Sequence, residues 1–291
     1  MNALLICGMS RSGTTLLTTM LDAHPVVSMG YELLPGKLPE LAELAALLDR
    51  VWVESNHSPR RAGNILKDLG HPQAGVFAKR ASRALVDPPE LAQILRGCTE
   101  RGMTYCKSIE HRFEIASRVA QHKAIAEGSR WYGFKSPVLD QANTDPICPK
   151  AHTVFIHRDP RDVWASHQDA GFDVSLKEVV RSWNTHSRLH RVSTPRSTSI
   201  RYEDLVQEPE HTLDALCDIL GLKFNTTMIE FEHSEASIFR SGLHHVNTPK
   251  LLAGLNQSAI GRWKNNLTSK DIKSIERQCA TGMRSLNYEW V

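Results

Sequence analysis

Residues Leu4 to Leu17 read LLICGMSRSGTTLL, an apolar strand running through a glycine-bounded loop into a helix with apolar periodicity. Gly8 and Gly13 have the G-x-x-x-x-G spacing, which points backbone N–H groups at a phosphate resting on a helix N-terminus. A loop that hydrolyses nucleoside triphosphates would continue with Lys and then Ser or Thr, for the terminal phosphates and Mg²⁺. Here Gly13 is followed by Thr14 and Thr15, and the only cation is Arg11, inside the loop. An arginine fork grips a tetrahedral oxyanion through two donors, so the loop still suits a phosphate-like group. A strand feeding a helix through such a turn commits the chain to an α/β architecture.

The remaining pattern agrees. Leu4–Gly8, Tyr132–Phe134, Thr153–His157 and Thr198–Tyr202 read as short strands, TVFIH being the clearest. Helical periodicity follows at Thr14–Asp22, Arg161–Ala170, Leu176–Arg191 and Glu208–Leu220, the last with Pro209 near its start and Gly221 as its stop. Alternating strands and helices predict a P-loop-like, three-layer α/β fold, a mainly parallel sheet between helices. The loops after Cys7, Phe134, His157 and Tyr202 should then converge at the carboxyl ends of the strands. Between Lys37 and Arg130 the strand signal disappears. Periodicity at Leu38–Leu48, Glu90–Leu95 and Phe113–Ile125, broken near Pro59, Pro72 and Pro88, predicts a helical cap over residues 38–130 within one domain of residues 1–291.

Composition excludes several classes. At 41% hydrophobic and 23% charged residues the chain reads as an ordinary globular protein. No apolar run approaches 18 residues, so no membrane span is expected. Met1–Cys7 is too short for a secretory leader. The six cysteines (Cys7, Cys98, Cys106, Cys148, Cys217 and Cys279) form no C-x-x-C pair and no zinc-ligand spacing, which predicts reduced thiols in the cytoplasm and no metal site. No basic stripe interleaved with aromatics appears, so nucleic acid is not an expected partner. Oligomeric state leaves no signature. The net charge of +3 hides an asymmetry: Arg60–Arg130 holds 13 Lys/Arg against 7 Asp/Glu. That bias is either a solvated helical surface or a wall facing an anionic partner near the acceptor.

A second segment, VFIHRDPRDVWAS (Val154–Ser166), ends a strand at His157, puts Arg158 at its carboxyl end and Ser166 eight residues on. That spacing lets one arginine and one hydroxyl flank a second phosphate. Together the two segments resemble the sulfotransferases that use 3′-phosphoadenosine-5′-phosphosulfate (PAPS). The resemblance continues in LDAHPVVSMGYE (Leu21–Glu32), FKSP (Phe134–Pro137), RYEDL (Arg201–Leu205) and GRWKN (Gly261–Asn265), in order over most of the chain except the cap. The branch containing tyrosylprotein sulfotransferases and their bacterial relatives is the nearest in character.

The resemblance implies that Arg11, Ser12, Gly13, Thr14 and Thr15 hold the 5′-phosphosulfate, and that Arg158 and Ser166 hold the 3′-phosphate. It further implies that Tyr202 lies against the adenosine and that Arg262, with Asn247–Gly261, closes over the cofactor; the product would be adenosine 3′,5′-bisphosphate. Trp263 reads as a packing residue. Relatives in this branch can carry a further arginine one turn after the serine, where this chain has Ala170.

A hydroxyl acceptor needs a general base. The branch keeps its base at the position of Glu32, whose carboxyl, near the cofactor's anions and partly shielded from water, is expected to have a raised pKa. Lys135 is the candidate for stabilising charge on the leaving oxygen, which with Glu32 and Arg11 completes the catalytic set. Other sulfotransferases use histidine, which leaves His24, His57, His71, His111, His157, His167, His244 and His245 open. A sulfuryl group carries less charge than a γ-phosphate, so Mg²⁺ is not expected. The implied activity is sulfuryl transfer from PAPS to a small-molecule or glycan hydroxyl, a cytosolic chain not meeting secreted tyrosine substrates. The rivals are a P-loop nucleotide kinase or hydrolase, and a non-catalytic nucleotide-binding protein.

Overall fold

A computed structural model of the chain describes residues 1–136, 151–189, 195–243, 245 and 247–291. Pro137, Cys148, Arg191 and His244, named above, lie outside them. The chain runs β1 (Asn2–Cys7), α1 (Thr14–Asp22) and β2 (Val27–Tyr31), then five helices: α2 (Leu41–Glu54), α3 (Pro59–Asp68), α4 (Pro72–Arg83), α5 (Pro88–Thr99) and α6 (Ile109–Ala126). β3 (Trp131–Ser136), β4 (His152–His157), α7 (Pro160–Asp169), α8 (Leu176–Leu189), β5 (Ser197–Arg201), α9 (Tyr202–Gln207) and α10 (Pro209–Leu220) follow. Short helices α11 (Ser237–Arg240), α12 (Thr248–Leu252) and α13 (Trp263–Asn266) lead to α14 (Ser269–Ser285).

The five strands form one sheet in the order β2-β3-β1-β4-β5, and every pairing is parallel. Both faces are buried, which is why β1 and β4 read as continuous apolar runs rather than alternating ones. Leu4, Ile6, Val154 and Ile156 pack on one face with Leu17, Leu213 and Leu216. Leu5, Cys7 and Phe155 turn to the other, against Leu41, Phe77, Leu95 and Phe113 of the inserted helices. The chain leaves β1 towards β2 and β3 on one side and returns to β4 on the other. The crevice beyond the carboxyl ends of β1 and β4 is therefore a topological switch point, the place where such sheets bind ligands.

Two elements depart from the sequence expectation. VSMGY (Val27–Tyr31), not expected as a strand, forms β2 and is wholly buried. Pro59, Pro72 and Pro88, read as breaks, are the first residues of α3, α4 and α5, where the missing N–H costs nothing. The five described cysteines are buried and unbridged. Among the described residues no helix is long and apolar enough to cross a membrane, and no group of three or more His, Cys, Asp or Glu could hold a metal ion.

Candidate active site

The loop between β1 and α1 is held in its shape by local constraints. Gly13, the N-cap of α1, has φ +94°, and a Cβ there would stand 2.4 Å from Tyr202 Cδ2. Only glycine meets both conditions. Gly8 is pressed against β4, where an added Cβ would lie 2.5 Å from the Ile156 carbonyl oxygen. Arg11 takes a left-handed conformation, φ +71°.

Arg158 leaves β4 buried, and its guanidinium donates to the Arg11 carbonyl oxygen at 3.0 Å and to the Ala259 carbonyl oxygen. Its plane lies over the Tyr202 ring, 4.4 Å from the centroid. Arg11 Nε donates to Ser166 Oγ at 2.9 Å, so the two expected phosphate grips adjoin. Arg262 pairs with Asp169 at 2.7 Å. Burial, then Arg158 and Arg262, push the Arg11 pKa down against the opposing pull of Asp169. Guanidiniums do not shed their charge to relieve such crowding; anions relieve it.

Glu32 follows β2 at φ +58°, and its N–H donates to the Lys135 carbonyl oxygen at 3.2 Å. Lys135, buried in β3, donates from Nζ to Glu32 Oε1 at 3.0 Å and to Thr15 Oγ1 at 2.8 Å. On the far side Arg80 of α4 lies 3.2 Å from Glu32 Oε2, and His245 Nε2 lies 4.0 Å from Oε1. These neighbours pull against the raised pKa expected beside the cofactor's anions. The flanking His245 ring, then the Lys135 ammonium and the Arg80 guanidinium, hold the carboxyl well below the usual carboxylate range against burial, which raises it. The protein's own charges around Glu32 are cationic. Burial pulls the Lys135 pKa down, with Glu32 opposing.

These groups line a single cavity of about 640 Å³, which takes in Arg11, Gly13, Thr14, Thr15, Glu32, Lys135, Arg158, Ser166, Tyr202 and Arg262. Ser12 stands apart from the other expected residues: it is buried, does not line the cavity, and its N–H donates to the Met9 carbonyl oxygen at 3.1 Å. The cover expected from Asn247–Gly261 contributes Asn247, which donates to Thr15 Oγ1 at 3.4 Å, and residues 250–251, 253–256 and 258–259. Asp162 anchors that cover by accepting from Gly261 N at 2.8 Å and Trp263 N at 3.0 Å. Trp263 is a packing residue, with the Arg161 guanidinium 3.9 Å over its ring.

His24 lies elsewhere, its ring bonded to the Lys223 carbonyl oxygen and the Val26 N–H. Of the histidines left open, His245 alone among the described residues lines the cavity. Arg80 and Arg83 carry no sequence signal of their own beyond falling in the basic segment of residues 60–130.

The model of the sulfotransferase family matches residues 3–226. The chain is a member of the sulfotransferase family. It is 23% identical to protein-tyrosine sulfotransferase 2 of Gallus gallus, in an alignment covering 99% of this chain and 70% of that protein. A shorter match, 34% identical over 93 residues, joins 32% of this chain to 17% of carbohydrate sulfotransferase 2 of Mus musculus. The fold is similar to that of the sulfotransferase domain from the Synechococcus PCC 7002 olefin synthase, with a TM-score of 0.64, 21% identity, and coverage of 100% of this chain and 96% of that one.

Proposed function

We propose that this sulfotransferase is PAPS-dependent, that its acceptor is the hydroxyl of a small molecule or glycan, and that Glu32 takes the acceptor's proton. One observation carries the reading. Lys135 Nζ bonds both Thr15, at the phosphate loop, and Glu32, the carboxylate of the same cavity. The residues present fit the cofactor. Arg158 Nε is buried with no hydrogen-bond partner among the described residues, beside Arg11 and Arg262. Gly13 lets the Tyr202 ring pack directly against the phosphate loop.

When bound, PAPS would supply the sulfuryl group and leave as adenosine 3′,5′-bisphosphate. Arg11 with the backbone of Gly13, Thr14 and Thr15 would hold the 5′-phosphosulfate at the N-terminus of α1. Arg158 and Ser166 would hold the 3′-phosphate, Tyr202 would lie against the adenosine, and Arg262 would close from the cover. The Lys135 ammonium stabilises negative charge where the leaving oxygen develops it, and fixes Glu32 Oε1 towards the acceptor. Glu32 then accepts the hydroxyl proton. His245, on the flank of the carboxylate, is a positioning residue. No role is assigned to a metal, since one carboxylate of the described residues faces the cavity and three cationic or imidazole neighbours already hold it. The cytoplasm is the expected site of action.

The test is transfer of labelled sulfuryl from PAPS to a panel of alcohols, phenols and sugars. Label in an organic sulfate supports the reading. A chain that binds neither PAPS nor the bisphosphate defeats it.

A further inference from the structure

Among the described residues, eight Lys or Arg side chains line the cavity against one carboxylate, Glu32. Four of them, Arg11, Lys135, Arg158 and Arg262, are taken by the cofactor in the function proposed above. Helix α4 brings three more, Lys79, Arg80 and Arg83, to the wall that faces Glu32. These are not ordinary solvated surface charges. Arg80 pairs with Glu32 Oε2 at 3.2 Å. Arg83 donates from Nε to the Leu243 carbonyl oxygen at 3.3 Å, is partly withdrawn from water, and lies close enough to Glu32 and Arg80 to feel both. Lys79, nearer the mouth, donates to Asn64 Oδ1 at 2.6 Å.

The arrangement has two consequences. Two arginines side by side in a partly dry pocket repel each other and present several fork donors to one opening, a site matched to a carboxylate or similar anion. Glu32 is meanwhile claimed at both oxygens, by Lys135 and His245 at Oε1 and Arg80 at Oε2, with Arg83 near enough to be felt. A carboxylate held by that many cations is a counterion and a poor proton acceptor. The base becomes effective when one of its partners is drawn away. Lys135 is fixed by Thr15 inside the sheet; Arg80, on the cap helix, is the partner with somewhere else to go.

We propose that Arg80 and Arg83, with Lys79 at the mouth, bind an anionic group of the acceptor, so that the acceptor is a hydroxy acid, and that Arg80 exchanges Glu32 for that anion. Acceptor binding thus frees the base, and an acceptor lacking the acid leaves it clamped. Val76, Phe172 and Leu255 on the same cavity give the body of the acceptor an apolar wall. The inference rests on the sulfotransferase reading of the site for its catalytic half and on the α4 cations for its binding half.

The experiment uses matched pairs: 4-hydroxyphenylacetate and its methyl ester, and 3-hydroxydecanoate and its methyl ester. Dissociation constants are measured by calorimetry on the free chain and on the chain saturated with adenosine 3′,5′-bisphosphate, and kcat and KM with PAPS. At least one acid should bind and react about tenfold or more better than its ester, the scale of a charge-assisted pair. Arg83→Gln should erase the preference in binding while bisphosphate affinity stays within about twofold. Arg80→Gln should raise kcat for the ester while lowering affinity for the acid, a split that a merely structural arginine would not produce. Where either variant loses its fold by circular dichroism, Lys79→Gln takes its place, with a smaller loss of the same preference. Esters that bind and react as well as acids, binding of neither member of both pairs, or a preference untouched by these substitutions overturns the proposal. Failure of the bisphosphate to bind would defeat the cofactor reading alone, since the acid–ester comparison on the free chain still decides this one.

Discussion

Lys135 and Glu32 share a 3.0 Å hydrogen bond across the carboxyl ends of β3 and β2, which run side by side in the sheet. The pairing register puts Tyr31 opposite Lys135, so the residue after the strand arrives beside the lysine by sheet geometry alone. The carboxylate side of the cavity is thereby built directly on the sheet.

Replacing Glu32 with Gln tests the base. The amide is nearly isosteric, so nucleotide affinity and the circular dichroism spectrum should stay unchanged. Turnover should fall by roughly 10²- to 10⁴-fold, the usual share of a general base. Unchanged kcat would move the proton to His245, the one described histidine in the cavity.

Arg158→Ala and Arg11→Ala should each weaken adenosine 3′,5′-bisphosphate binding by about 2–5 kcal/mol, the range for removing one partner of a buried charge pair. Arg158→Ala should be the worse of the two for stability, because its guanidinium also holds the Arg11 and Ala259 carbonyls. Calorimetric titration of both variants reads the first effect and urea denaturation the second.

Gly13→Ala should be destabilised by about 1–3 kcal/mol, the scale of one residue forced into an unfavourable backbone region. Here the φ of +94° is joined by a 2.4 Å clash with the Tyr202 ring. The displaced ring should also disturb its stacking on Arg158, so nucleotide affinity falls with stability.

Acid should act through Glu32. A carboxyl whose folded pKa lies below its ordinary 4.5 contributes stability above pH 4.5 that is lost as pH falls through the folded value. Urea midpoints measured from pH 6 downwards should therefore fall less steeply below pH 4.5 in Glu32→Gln than in the parent. Equal slopes would mean that Glu32 is not held by its cationic neighbours in solution.

Much of this site was legible in the chain. The phosphate loop and the β4 turn are local patterns whose residues are neighbours in sequence, and both fold as their spacing predicts. β2 was not legible, because VSMGY is short and contains Ser and Gly, and is a strand only because β3 lies beside it. The arrival of His245 and of Arg80 at Glu32 was equally hidden. Both contacts join distant segments and leave no periodicity. The cations around Glu32 were hidden for the same reason: burial can be guessed from position, but the identity of the charges around a group is a tertiary fact.

The central claim is that this cavity is made for a nucleotide with a 3′-phosphate. It is tested most directly by titrating the chain with adenosine 3′,5′-bisphosphate, adenosine 5′-phosphate and ADP–Mg²⁺, in parallel and with EDTA added to the first two. The bisphosphate should bind at least about tenfold more tightly than either competitor, unaffected by the chelator. At 100 times its Kd it should stabilise the fold by about 2.7 kcal/mol. ADP–Mg²⁺ binding as tightly as the bisphosphate, or a bisphosphate affinity that vanishes with EDTA, would contradict the account.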